Sequence, residues 1–161
     1  MKQTLSVLVE NKAGVLSKVS GLFSRRGFNI YSLAVGVTED ESVSRMTIVV
    51  DGEETVVEQV VKQLNKLIDV IKVKELGENT YLTRELALIK VKASGEKRGE
   101  IIQIAQLYDC KISDVSPNAM ILEMSGTTDK IDALEDILKG YGVIETMRTG
   151  AIALEKGEVK I

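Results

Sequence analysis

The chain has 161 residues, a formal net charge of −3 and a pI near 5.2, which suits one domain of ordinary size or two of about 75 to 80 residues. Domains that small bury only about 60% of their surface, so two of them call for a partner. An acidic chain has no electrostatic attraction to a polyanion, which argues against DNA or RNA as ligand.

Hydrophobic residues make up 44% of the chain and aromatics 4%. The core must therefore be Val, Ile and Leu, and platforms for stacking bases are scarce. There is no histidine and one cysteine, Cys110. That excludes a zinc site built from histidines or paired thiolates, a Cys-His pair, a Ser-His-Asp triad and an internal disulfide. Cys110 is expected to fill space, and a reducing, cytoplasmic setting fits. Met1-Lys2-Gln3-Thr4 leads straight into a strand pattern without a signal peptide, and no apolar run approaches the ~18 residues of a membrane span, so a soluble protein with no membrane association is expected.

Residues 4 to 10 place Leu5, Val7 and Val9 on one face, the period of a half-buried strand. A loop from Asn11 to Gly14 follows. From 15 to 26 the apolar residues Val15, Leu16, Val19, Leu22 and Phe23 recur at helical spacing, with Arg25, Arg26 and Gly27 as dipole partners and stop. Residues 28 to 37 and 44 to 50 read as strands carrying Leu33, Val35, Val37 and Met46, Ile48, Val50, joined by an acidic hairpin loop at 38 to 43. A helix from about 54 to 68 presents Val57, Val60, Val61, Leu64 and Ile68 on one stripe, and Val70, Ile71 and Val73 close the unit. The order is βαββαβ. Right-handed crossovers put both helices on one face of a four-stranded antiparallel sheet, the ferredoxin-like arrangement.

Gly77-Glu78-Asn79-Thr80 is a short polar hinge, with a linker expected over 78–83 between a unit at 1–77 and a second at 84–161. Beyond it the order repeats without the sequence. Ala87, Ile89, Val91 and Ala93 mark a strand, Gly95-Glu96-Lys97-Arg98-Gly99 a turn, and Ile101, Ile104, Ala105 and Tyr108 a helix face. Strands at Ile112 to Val115 and Met120 to Met124 flank the turn Ser116-Pro117-Asn118. Thr128 is placed to cap a helix bearing Ile131, Leu134, Ile137 and Leu138, Gly140 to end it, and Val143 to Met147 to start the last strand. The fold class is α+β, two ferredoxin-like units in tandem.

The chemistry concentrates at Glu10-Asn11-Lys12-Ala13-Gly14-Val15-Leu16. A glycine at the mouth of a helix lets the backbone approach a ligand closely, and the first helical amides, lacking internal partners, can meet a carboxylate. Glu39-Asp40-Glu41 and Gly52-Glu53-Glu54 sit between elements, where acidic residues face water or start helices. Neither a Walker loop nor a G-x-G-x-x-G occurs. The stretch suits a sensor rather than a catalyst.

Glu10-Asn11-x-x-Gly14-Val15-Leu16, with Arg26-Gly27-Phe28-Asn29-Ile30 and Ser44-Arg45-Met46-Thr47-Ile48-Val49, resembles the ACT domain of the small, regulatory subunit of acetohydroxyacid synthase, also called acetolactate synthase. The resemblance continues in order through Gln63 to Val70, Arg84 to Val91, Asp114 to Asn118 and Arg148-Thr149-Gly150. It implies a non-catalytic subunit in branched-chain amino-acid biosynthesis that binds a large catalytic subunit, activates it and confers feedback inhibition by valine, leucine or isoleucine. It implies no cofactor in this chain, and thiamine diphosphate, Mg²⁺ and FAD in the catalytic partner. It also implies an effector site where two ACT domains of a homodimer meet, the Asn11 to Leu16 loop of one protomer facing Asn29 and Ile30 of the other.

On that resemblance the amides of Gly14, Val15 and Leu16 are expected to hold the effector carboxylate. Asn11 and Asn29 would accept from its ammonium group, and Ile30, with Val35 beside it, would face a branched side chain. The competing role for Ile30 and Val35 is plain core, and for Asn29 a turn residue. Two positions depart from the family pattern: Ala13 stands where many ACT loops carry proline, and Ala151 where relatives often carry a second arginine. A free-standing ACT sensor acting on another enzyme or a transcription factor is the alternative, and an RNA-binding ferredoxin-like module a third for which exposed aromatics and a basic face are not evident.

Overall fold

The computed structural model describes all 161 residues. The chain forms two compact units, one of Met1–Leu82 with Ala151–Ile161 and one of Thr83–Gly150.

In the first unit β1 (Lys2–Glu10), α1 (Val15–Arg26), β2 (Ile30–Val37), β3 (Val43–Asp51), α2 (Glu54–Leu64) and β4 (Val70–Leu76) follow the expected order. The sheet runs β2-β3-β1-β4, all neighbours antiparallel. Leu5, Val7 and Val9 on β1 and Met46, Ile48 and Val50 on β3 meet Val15, Val19, Leu22 and Phe23 of α1 and Val57, Val60 and Leu64 of α2 in one core. Both helices therefore cover the same face.

The helix expected over 54–68 stops at Leu64. Asn65 ends it, and the chain tightens through Leu67 N–H to Leu64 O (3.1 Å) and Val70 N–H to Leu67 O (3.1 Å). Leu67 packs against the core and Ile68 is 97% exposed, so Ile68 does not belong to the stripe. Four apolar residues at helical spacing cannot reveal a turn that substitutes the neighbouring leucine.

The second unit holds most of β5 (Tyr81–Lys92) with α3 (Glu96–Leu107), β6 (Lys111–Val115), β7 (Ala119–Gly126), α4 (Thr128–Lys139) and β8 (Val143–Arg148). Its strand order is β6-β7-β5-β8, and its core joins Ala87, Ile89, Val91, Met120, Leu122 and Met124 to Ile101, Ala105, Ile131, Leu134 and Leu138. Three local expectations are corrected. Gly95-Glu96-Lys97-Arg98-Gly99 is not a free turn: the helix starts at Glu96, and Arg98 Nη2 donates to the carbonyls of Ala93 (3.0 Å), Ser116 and Pro117 (2.8 Å). The N-cap is Thr127 rather than Thr128, whose hydroxyl donates instead to Glu85 Oε2 (3.2 Å). The span 78–83 is only partly linker, since β5 begins at Tyr81.

The second unit does not extend to 161. After Gly150 (φ 80°) a further strand, β9 (Ile152–Glu155), belongs with its flanking residues to the first unit and pairs with β5. No helix is long and apolar enough to cross a membrane.

Candidate functional site

The β1–α1 junction is tied down before it turns. The Glu10 amide donates to Asp69 O (2.9 Å) and the Asn11 amide to Ser42 O (2.8 Å). Gly14 is the N-cap of α1 with φ 85° and ψ −10°, a left-handed shape that costs an ordinary L residue roughly 1–2 kcal/mol. A Cβ there would meet nothing within 4 Å. Backbone shape rather than crowding selects the glycine, and the space above it is open.

A glycine N-cap has no side chain to satisfy the helix end. The amides of Gly14, Leu16 and Ser17 find no acceptor in the chain, and Val15 N–H reaches Lys12 O only at 3.4 Å, a long bond. The helix thus begins with a fan of donors at its positive end, the arrangement that takes a carboxylate. Ser17, not singled out by the sequence pattern, joins it. The Val15 side chain is buried in the core and contributes only backbone, while Leu16 is 47% exposed.

Asn11 has a defined orientation. Its side chain bonds the carbonyl of Glu41 at 2.8 Å, and only the amide nitrogen can donate to a carbonyl, so Oδ1 is left as an acceptor. The cations beside the junction are already paired: Lys12 with Glu10 and Lys18 with Asp69, both at 2.7 Å. The hydrogen bond and charge of Glu10 push the Lys12 ammonium up, and the Lys18 hydrogen bond holds the Asp69 carboxyl below the usual range.

The second group lies past the end of α1. Gly27 (φ 68°) closes the helix, the Phe28 amide donates to Phe23 O (3.0 Å), and the two rings meet edge-on with centroids 6.4 Å apart. Asn29 is exposed with no hydrogen bond made by its side chain; Ile30 is partly buried against the core and opens β2. Val35, at 45% exposure, is not plain core. Between the groups stand the 12 residues of α1, about 18 Å of helix. Asn11, Gly14, Val15 and Leu16 are brought together, and Asn29 with Ile30 forms a separate cluster at the other end of the helix. No cluster of acidic or cysteine residues is arranged to hold a metal ion.

Comparison with known proteins bears on the whole chain. The family model of an AHAS small subunit-like ACT domain matches residues 5–72, and that of the small subunit of acetolactate synthase matches residues 84–157. The chain is 54% identical over 160 residues to a probable acetolactate synthase small subunit of Archaeoglobus fulgidus, covering 99% of this chain and 100% of that one. It is 53% identical over 154 residues to an acetolactate synthase small subunit of Mycolicibacterium smegmatis, covering 96% and 91%. The crystal structure of the small subunit from Thermotoga maritima is similar with a TM-score of 0.90 at 40% identity, over 99% of both chains.

Proposed function

We propose a regulatory role on one premise: the chain belongs to the acetolactate synthase small-subunit family. A small subunit has a catalytic large subunit as partner. This one activates that partner and confers feedback inhibition by a branched-chain amino acid, valine foremost. It works in the cytoplasm and has no catalytic residues of its own; thiamine diphosphate, Mg²⁺ and FAD belong to the large subunit.

The observation that carries the effector site is the separation of its two halves by α1. One chain cannot close them on a ligand the size of an amino acid, so the site calls for a homodimer. The edge position of β2 supports the geometry, because its outer backbone edge is unpaired within the chain. Ile30 stands opposite Val50 on β3 and Val37 opposite Ser44, which also faces Val9 of β1. The Val37 end of β2 therefore lies where the chain leaves β1 for Asn11, and the Ile30 end lies at the far side. Two β2 edges meeting antiparallel about a two-fold axis bring each Ile30 end beside the other protomer's Val37 end, and so toward its Asn11–Leu16 loop.

In that site the free amides of Gly14 and Leu16, with Val15 and Ser17, bind the effector carboxylate. Asn11 Oδ1 and Asn29 accept from its ammonium group, and Ile30, Val35 and Leu16 offer apolar surface. One methylene is worth only about 1–3 kcal/mol in such a pocket, so valine, leucine and isoleucine overlap.

The test is co-purification with the large subunit followed by assays with and without valine. A complex, stimulation and valine inhibition are expected. No complex and no stimulation would favour a free-standing sensor.

A further inference from the structure

The outer face of the first unit's sheet is built to be covered. Its central cross-strand rows are Ser32–Val49–Thr4–Leu76 and Ala34–Thr47–Ser6–Lys74. Thr4, Ser6, Thr47, Val49 and Leu76 are all buried, although the helices lie on the opposite face. An antiparallel sheet with one free face shows water long polar side chains there, not a row of hydroxyls and methyls.

The cover is a later segment of the same chain, Ala151–Lys156, together with Tyr81, all within the first unit. The Ala151 amide donates to Ser32 Oγ (3.2 Å) and the Ala153 amide to Thr47 Oγ1 (3.3 Å). Lys74 pairs with Glu155 (2.5 Å), the Lys156 amide donates to Thr80 O (2.9 Å), and the Tyr81 hydroxyl donates to Thr4 Oγ1 (3.2 Å). Residues 151, 153 and 155 thus step across β2, β3 and β4 in turn. Ala151 and Ala153 are buried, while Ile152 and Leu154 point outward. The small side chains of Ala151 and Ala153 let the strand's backbone come down onto the hydroxyls.

Two features make this contact a device rather than a fixed layer. The bonds to Ser32 and Thr47 are long and neutral, hence weaker than the Lys74–Glu155 ion pair that anchors the segment at Glu155. Ser32 also sits two residues past Ile30, and the β2–β3 register is irregular between them. A ligand that orders Asn29 and Ile30 acts directly on the segment positioning Ser32. At its other end the segment continues through Gly150 to Arg148, which Glu85, Asp132 and Glu135 hold in the second unit.

We infer that Ala151–Glu155 is a releasable strap whose docking on Ser32 and Thr47 carries the effector signal from β2 to the second unit. This rests on the effector site proposed above. Effector binding tightens the strap, and the second unit feels the change through Gly150.

The experiment uses the full chain, alone and reconstituted with the large subunit, and a Ser32→Ala, Thr47→Val double variant. Amide hydrogen exchange over residues 149–157 should slow about fivefold or more when valine saturates the wild-type chain, and should run about tenfold or more faster in the variant. Valine affinity by calorimetry should stay within about threefold while the concentration needed to inhibit the complex rises about tenfold or more. Unaltered strap exchange in the variant, or inhibition undiminished despite faster exchange, overturns the strap. Valine that binds the wild type without changing strap exchange sinks the strap and leaves the effector site standing. If no branched-chain amino acid binds the wild type, the effector reading fails and the strap with it. Should the variant not fold, the response of the wild-type strap to valine decides.

Discussion

Arg148 grips Glu85 with two parallel hydrogen bonds, Nε to Oε1 at 2.9 Å and Nη2 to Oε2 at 2.8 Å. Its remaining nitrogen, Nη1, reaches Asp132 at 2.6 Å and Glu135 at 3.2 Å, so three carboxylates surround one guanidinium. The Glu85 hydrogen bonds hold that guanidinium more firmly protonated than an ordinary arginine. Glu135 Oε1 is nonetheless buried without a partner. The pair joins the start of β5 to the end of β8, and α4 is pinned to both.

Removing Arg148 leaves a buried carboxylate without its cation, a change that costs about 3 kcal/mol. Arg148→Met should therefore lower stability by roughly that amount in urea unfolding, and Arg148→Lys by less, because an ammonium supplies the charge but not the fork. Equal stability of Arg148→Met and wild type would show that the surrounding carboxylates gain nothing from the arginine.

Gly14→Ala and Gly14→Asp separate backbone strain from ligand repulsion. Each should cost about 1 kcal/mol for the left-handed backbone, with Asp tolerated somewhat better there than Ala. Only Gly14→Asp also puts a carboxylate where the proposed site would hold the effector's carboxylate. Calorimetry should find valine binding abolished in folded Gly14→Asp and merely weakened in Gly14→Ala; unchanged affinity in Gly14→Asp would remove this loop from the site.

The Lys18–Asp69 pair gives a pH signature. Because Lys18 holds the Asp69 carboxyl below its ordinary value of 3.8, the pair's contribution is fully present above that value and is lost as the pH falls through the lower, folded one. Asp69→Asn should be less stable than wild type at neutral pH, and the difference should shrink below about pH 4. Thermal unfolding of both proteins across the acid range measures this; a gap independent of pH would mean the pair's charge is not what matters.

Cys110 should react slowly. Burial, and then the charge of Asp109, push its thiol up from 9.0, so thiolate is scarce at pH 8 and access is partial. Alkylation of the native protein should lag the urea-unfolded chain by about tenfold or more. Equal rates would show a thiol open to solvent.

The helix-facing side of each sheet is legible in the sequence because the pleat imposes it: Leu5, Val7 and Val9 alternate with Thr4, Ser6 and Leu8, and only one parity can face α1 and α2. The bounds of α1 are equally local, set by Gly14 and Gly27. What cannot be read is whatever depends on a distant segment. Thr47 looks like a solvent-facing residue until the distant Ala153 comes down onto it, Thr4 until Tyr81 does, and nothing near Thr128 announces that its hydroxyl will serve Glu85. Of the site, the glycine and helix start are local signals. The anchoring of Asn11 by Glu41 and the unpaired amide of Ser17 emerge only once the loop is folded.

The residues that close the first unit are made after the whole of the second. During synthesis Met1–Leu82 leaves the ribosome with the Ser32 and Thr47 hydroxyls uncovered, and they stay so until Thr83–Gly150 and then Ala151–Ile161 have followed. A chain stopped at Gly150 would contain every helix and both antiparallel sheets of four, yet present an unfinished face. Final closure of the N-terminal unit therefore waits on its contacts of greatest sequence separation, which are the slowest to form.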